Sequence, residues 1–384
     1  MLKCSWLEVD ILDKKIVILY AAVGGGHFKA AEAIKNYILE NKPGCSVEML
    51  DALKYANKAV DKIIINSYVN MARYSPELWG NIYKLSAKQY SVANISNAVQ
   101  RLLSLKLVKY LNEQKPDIII STHPFITEMC AILKKKNQVN SKLNVIITDY
   151  ASHRFWELKP EFIDNYFVAN NEIKYKMGFN GIDLNKIHVT GIPVSPAFLK
   201  KYDKEKIYEE FGLDKNKKTV LIFGGGEYGL SNVKTFYKGL IDTDSDIQIV
   251  TVAGKRQKSQ KMFADIANGS NKKVIILGYT TKVPELMNIA DLIISKPGGL
   301  TTTEIITTHV PFAIINPIPG QEEENAEFLL NNGAAVQIFD AKSTKPFIEH
   351  LLTDEIRLEN IKQMQAHIAK PNSTRDIVDV IFKE

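Results

Sequence analysis

Three glycines, Gly24, Gly25 and Gly26, separate an apolar run from His27 in VILYAAVGGGHFKAAEAI, residues 17–34. Three missing side chains let a ligand approach the backbone. A strand that leads through glycines into a helix start also offers N–H groups and a helix dipole to an anion. The first side chain beyond the gap is an imidazole, whose ordinary pKa suits general base work near neutral pH. A second titratable group, Asp149, follows NVIIT, so its carboxylate should emerge at the carboxyl end of a strand. Plainer roles are open to both, since Asp149 could cap the next turn and His27 the helix.

The second half of the chain repeats the arrangement, with Gly224, Gly225 and Gly226 directly after another apolar run. A P-loop needs GKS or GKT after its glycines, and neither triplet has it. GGGEYG, residues 224–229, fits the dinucleotide pattern GxGxxG, but the expected acid is not cleanly placed: Asp242, Asp244 and Asp246 precede the next strand. The diphosphate of a sugar nucleotide is the third reading, and residues 295–335 favour it. There Pro297, Gly298 and Gly299 end a strand, and Thr301, Thr302 and Thr303 open a helix, gathering hydroxyls and N–H groups suited to phosphate. Glu304 lies in the next turn, where a carboxylate can accept from vicinal hydroxyls, and PGQEEEN brings Gln321 and Glu322 after the following strand. Acids favoured by a helix dipole would also account for Glu322 to Glu324.

Such residues need a scaffold that gathers strand ends. Short Val/Ile/Leu runs alternate with helical stretches: KIVILYA, SVEMLDA, PDIIIS, NVIITDY, NYFVAN and KIHVTG, then KTVLIF, IQIVTVAG, KVIILGY, ADLIIS, PFAIIN and AAVQIF. Continuous apolar runs mark strands buried on both faces, and alternation with helices implies parallel βαβ units. The fold class is α/β, with two Rossmann-like domains whose parallel sheets face each other across a cleft. GIPVSPAFLKKYDKEK combines prolines with a charge run and sets the boundary, giving an N-terminal domain over 1–198 and a C-terminal domain over 199–369.

The 384 residues, 45% hydrophobic and 24% charged, form ordinary globular material, long enough for two cores. Cys4, Cys45 and Cys130 make no CxxC pair, which points to reduced thiols in the cytoplasm rather than to structural zinc. The first residues lack the apolar core of a signal peptide, and no run reaches the roughly 18–20 apolar residues of a membrane span. The net charge of +6 is concentrated: residues 52–115 carry ten Lys or Arg against three acids, interleaved with Tyr55, Tyr68, Tyr74, Trp79, Tyr83, Tyr90 and Tyr110. A basic, aromatic, amphipathic stretch suits an anionic bilayer surface, with packing on its own domain as the alternative. Nucleic acid would also attract such charge, but no recognition motif accompanies it and no nucleic-acid partner is expected.

Seven segments, in order, resemble the family-28 glycosyltransferases of GT-B fold: GGGHFKAAEAI, STHPF, ITDYASHRFW, VTGIPVSPAF, FGGGEYGLSN, LGYTTKVPELMNIADLIISKPGGLTTTEI and NPIPGQEEENAEFLLNNGAA. Within that family the resemblance is to the diacylglycerol glycosyltransferases, which comprise bacterial processive glucosyltransferases and plant-type monogalactosyldiacylglycerol synthases. It covers most of the chain. It implies inverting transfer of a hexose, glucose ahead of galactose, from a UDP-sugar to diacylglycerol or a glycolipid acceptor. No metal or other cofactor is implied, and the place is the inner face of the cell membrane. Uracil would sit by Tyr279 and Thr280, ribose on Glu304, and the diphosphate among Gly225, Gly226, Pro297, Gly298, Gly299 and Thr301. Gln321 and Glu322 would hold the sugar, and Asn325 is a further donor-binding residue. His27 and Asp149 would face the reacting centre, with Gly25, Gly26, His123, Pro124, His153 and Trp156 on the acceptor side; the match is looser around ASHRFW. A final helix, about residues 370–384, would cross back to the first domain.

The implied reaction needs a base within hydrogen-bond reach of the attacking hydroxyl. Asp149 is the favoured base, with His27 holding the acceptor or a phosphate, and the reverse assignment stays open. DTDSD, residues 242–246, carries the DxD pattern of metal-dependent glycosyltransferases of another fold, but it precedes a strand, at the wrong end of the sheet. The alternatives are a polyprenyl lipid or small hydrophobic alcohol as acceptor, or a donor-binding module without turnover. A nicotinamide-dependent oxidoreductase stands behind them.

Overall fold

The structure, a computed structural model, describes residues 13–22, 25–56, 75, 77–78, 80–81, 83, 85, 97–224 and 233–383. Gly225, Gly226 and most of the basic segment lie outside the described residues. Among the described residues, no helix is long and apolar enough to cross a membrane.

The apolar runs form two six-stranded sheets. The first has the order β2-β1-β3-β4-β5-β6, from β1 (Lys15–Tyr20), β2 (Ser46–Asp51), β3 (Ile118–Ser121), β4 (Lys142–Ile146), β5 (Asn165–Val168) and β6 (Ile187–Val189). The second has the order β12-β11-β10-β7-β8-β9, from β7 (Lys218–Phe223), β8 (Ile247–Val252), β9 (Val274–Leu277), β10 (Leu292–Ser295), β11 (Phe312–Ile315) and β12 (Val336–Ile338). Each neighbouring pair described is parallel. Ile16 to Leu19 in β1 and Leu292 to Ser295 in β10 are buried throughout, as strands covered by helices on both faces must be.

Strand order reverses once in each sheet, between β1 and β3 and between β7 and β10. At such a point the connecting helices depart to opposite faces and leave a crevice beyond the strand ends. His27 follows β1, His123 follows β3, and Lys296 to Gly299 follow β10. Topology alone therefore carries these residues to the two crevices.

From β6 the chain reaches β7 through the turn Pro196–Leu199 and the helix Lys204–Phe211, whose start is capped by Asp203. The last helix, Ser373–Lys383, lies on the first sheet. Its Ile377, Val378 and Ile381 are buried with Ile16, Ile18, Ile34 and Ile38. At its start, Ser373 Oγ donates to Ile192 O (2.8 Å) and Thr374 Oγ1 to Val194 O (3.1 Å). Removing the Ile377 side chain should therefore weaken the N-terminal domain, although the residue is near the C-terminus. Ile377→Ala is expected to cost about 2–5 kcal/mol in urea unfolding. Tryptophan fluorescence reports that domain, because Trp6, Trp79 and Trp156 all precede β5.

Candidate active site

Gly25 turns the chain at φ +81°, a left-handed conformation that glycine adopts without strain, and opens the helix Gly26–Asn41. Gly298 precedes the helix Gly299–Thr308 in the other domain. The two helices meet start to start: a Cβ added at Gly26 would lie 3.7 Å from Leu300 Cβ. Neither start has a side-chain cap or an acid in its first turn. Their first N–H groups have no intrahelical partner and both dipoles are positive here, so an anion between them is favoured. The helix Gln321–Asn331 is different, with Glu322, Glu323 and Glu324 in its first turn. Glu323 accepts from Gly320 N (3.2 Å) and Glu322 from Ile318 N (2.7 Å).

The two domains touch through backbone at the same place. A Cβ on Gly299 would lie 1.9 Å from Thr148 O, so only glycine allows this approach. Asn325 has no exposed surface and spans the contact. Its Oδ1 accepts from Tyr150 N (2.7 Å), and its Nδ2 donates to Asp149 Oδ1 (3.1 Å) and Pro297 O (3.0 Å). Burial pushes the Asp149 carboxyl up to about 6; the Asn325 bond opposes this, while Glu322 and Glu324 add to it.

His27 Nδ1 lies 3.0 Å from Thr148 Oγ1, and Thr122 Oγ1 donates to the His27 carbonyl (3.1 Å). In one tautomer Nδ1–H donates to Thr148 and Nε2 keeps its lone pair; in the other the Thr148 hydroxyl donates to Nδ1. Burial pulls the imidazole down to about 4, against the opposing effect of the Thr122 backbone on the ring, so it is neutral at physiological pH. His123 packs edge-on at 4.8 Å, and burial followed by His27 holds it well below the ordinary histidine value. Its Nδ1 is buried without a partner among the described residues. Pro124 opens the helix that follows.

The structure does not bring Trp156 to this group. Trp156 is 3% exposed and sits in the core. His153 is a turn cap: its Nδ1 accepts from Phe155 N (3.2 Å) and its Nε2 therefore donates to Tyr83 O (3.1 Å). The turn Arg154–Glu157 directs Trp156 inward and leaves Phe155 partly exposed.

On the donor side, burial pushes Glu304 up to about 8, with Lys29 of the facing domain opposing. Thr301 is partly exposed, whereas Thr302 is buried with its hydroxyl unpartnered among the described residues. Gln321 opens its helix and is partly buried. Tyr279 and Thr280 follow the outer strand β9. Tyr279 is 58% exposed with Lys255 Nζ 4.8 Å from its ring centroid, and Thr280 Oγ1 accepts from Lys282 N (3.1 Å). Lys296, which the motif reading passed over, stands between β10 and Pro297, partly buried. Burial lowers its pKa while Glu322 opposes. The available signal was a lysine directly ahead of a Pro-Gly-Gly turn. DTDSD lies ahead of β8, and its Asp244 pairs with Lys345 at 2.9 Å.

Three outcomes follow from this geometry. Gly299→Ala should force the domains apart and lower turnover by about 100-fold or more, the cost expected for an ångström-scale misplacement, with each domain still folded by circular dichroism. Glu304→Gln, which mimics a protonated carboxyl, should keep UDP affinity within about threefold by calorimetry, while Glu304→Ala loses about tenfold, one hydrogen bond to a polar ligand group. Lys296→Ala should weaken UDP binding by about tenfold or more, with a reduced salt dependence.

The pattern described as Monogalactosyldiacylglycerol (MGDG) synthase matches residues 27–194, and the Glycosyltransferase family 28 C-terminal domain matches residues 219–381. The processive diacylglycerol beta-glucosyltransferase of Bacillus pumilus (strain SAFR-032) is 31% identical over 372 residues, covering 97% of this chain and 95% of that one. The enzyme of the same name from Bacillus subtilis (strain 168) is 30% identical over 373 residues, covering 97% and 96%. Among solved structures, Acinetobacter baumannii MurG superposes with a TM-score of 0.63 at 16% identity, over 97% of this chain and 100% of that one. The UDP co-structure of S. aureus MnaA gives 0.67 at 14%, over 96% of each. These structures share the two-domain GT-B fold. Near-complete coverage at 31% identity, with the two patterns in succession, decides the family: the chain belongs to the family-28 glycosyltransferases, in the group of the processive diacylglycerol beta-glucosyltransferases.

Proposed function

We propose that the protein transfers a hexose, glucose first, from a UDP-sugar to the free hydroxyl of diacylglycerol, with inversion and without a metal. The observation that carries this reading is the pair of uncapped helix starts facing each other beside Asp149 and His27. The diphosphate sits between the helix starts, where N–H groups and dipoles stabilise the charge that develops as UDP leaves. The acceptor oxygen forms the new bond to C1, the bond from C1 to the phosphate oxygen breaks, and the hydroxyl proton passes to Asp149. A carboxyl pushed up to about 6 is well matched to that transfer near neutral pH. Neutral His27 orients the hydroxyl through Nε2. Gln321 and Glu322 read the sugar, and Tyr279 with Thr280 takes the uracil.

The names of the relatives support glucose and diacylglycerol. The pattern matched by the first half carries a galactolipid name, which supports galactose as the second choice of donor. The basic segment 52–115 holds the protein on the inner face of the cell membrane, where a lipid acceptor must be met.

UDP release with UDP-glucose, UDP-galactose and UDP-N-acetylglucosamine, with and without diacylglycerol in anionic vesicles and in EDTA, tests this reading. Lipid-dependent release with one hexose preferred is the expected result. Protein that binds UDP but shows no lipid-dependent release with any donor would overturn the acceptor assignment, and loss of release in EDTA would overturn the metal-free one. The pH profile identifies the base. With Asp149 in that role, kcat/KM rises with pH through about 6 as the carboxyl ionises, and Asp149→Asn loses about 10²–10⁴-fold. An acid limb near 4 would assign the role to His27 instead.

A further inference from the structure

Two tripeptides of the same spacing, His123-Pro124-Phe125 and His153-Arg154-Phe155, follow the neighbouring strands β3 and β4. Their rings form one row leading away from His27. Centroids are 4.8 Å apart from His27 to His123, 5.6 Å from His123 to Phe125, 5.6 Å from Phe125 to Phe155 and 4.4 Å from Phe155 to His153. The two imidazoles with the lowest exposure have structural surroundings: His123 is buried against His27, and His153 is held by Phe155 N and Tyr83 O. The two phenyl rings are different. Both stay partly exposed, although the adjacent Trp156 is packed into the core. Phe125 stands one imidazole away from His27 and Phe155 beside it, so two half-buried apolar rings adjoin the reacting centre where an apolar part of a ligand can pack.

We propose that Phe125 and Phe155 form a shelf that seats the apolar root of the glyceride, the first carbons of its acyl chains, and so turns the free hydroxyl toward His27 and Asp149. The inference rests on the acceptor assigned under the proposed function and names the residues that select it. A phenyl ring offers no hydrogen-bonding group, unlike Tyr or Trp, so the shelf suits methylenes better than a hexose rich in hydroxyls. His153 is a positioning residue: it accepts from Phe155 N and fixes the turn that presents the ring.

The test is a kinetic split in mixed micelles of dioleoylglycerol with the preferred UDP-hexose. Phe125→Ala and Phe155→Ala should each raise the KM for dioleoylglycerol by about tenfold, the order expected for losing one apolar side-chain contact, and leave the donor KM within about twofold. Phe125→Leu and Phe155→Leu, which keep an apolar surface, should restore the acceptor KM to within about threefold. The leucine variants also guard against misfolding, as does unchanged UDP affinity. An acceptor KM indifferent to both alanine changes overturns the shelf. So does an effect confined to glucosyl-diacylglycerol as acceptor, which would make this a sugar seat. Wild-type protein that binds UDP yet never uses diacylglycerol removes the acceptor reading and the shelf together. Normal wild-type turnover with indifferent variants removes the shelf alone.

Discussion

Asn325 makes three hydrogen bonds through its side-chain amide, which join its helix to two other segments: the backbone of Tyr150 and the carboxylate of Asp149 in one, and the carbonyl of Pro297 in the other. Asn325 itself has no exposed surface, so its amide cannot turn to water instead. A buried polar group left unpaired costs roughly 1–3 kcal/mol, so the arrangement is held as a set or opened as a set. Tyr150 extends the set, since its carbonyl accepts from Asn170 Nδ2 (2.9 Å), its hydroxyl lies 3.0 Å from Thr303 Oγ1, and its ring stacks on Phe328 at 5.0 Å. Gly299 allows the closure by bringing bare backbone against Thr148. The groups that would act on the donor and on the acceptor are thus fixed relative to one another by contacts around a single amide.

That closure also sets the electrostatics. Asp149 and Glu304 are pushed up, and His27 and His123 are pushed down, chiefly because burial disfavours the charged form of each. Burial thus weakens the side-chain charge around the two uncapped helix starts, whose dipoles both point into the cleft. In such a site an anionic ligand supplies the missing charge, and its departure changes the field at every titrating group. Tyr83 adds a link to the basic segment, donating to Glu324 (2.9 Å), while Gly320 leaves room for its ring: a Cβ there would lie 2.9 Å from Tyr83 Cγ.

The central strands β1, β3, β7, β10 and β11 were legible as apolar runs, because strands buried on both faces leave no alternation to confuse with a helix, whereas the edge strand β2, SVEMLD, carries exposed polar residues. The glycine turns, Asp149 and His27 were legible for the same reason, since a polar group directly after such a run has to emerge at the strand end. Side-chain direction within a turn was not. His153 and Trp156 drew the eye as an imidazole and an indole, yet the short turn spends the first on a cap and the second on the core, and presents Phe155. Asn325 read as a donor-binding amide, and nothing in PGQEEENAEF showed that it also bridges the two domains. Lys296 had no periodicity to mark it.

What the sequence determined by itself was the α/β class, the two halves, the strand ends that carry polar residues and the concentration of positive charge before Lys115. All of these follow from local composition and spacing. Which ends meet was decided by tertiary structure. Strand order puts β1 beside β3 and β7 beside β10, and that adjacency depends on pairings far apart in the chain. The opposed helix starts, the Asp149–Asn325 bond and the approach of Gly299 to Thr148 then follow from packing the two domains together, because each joins residues from both.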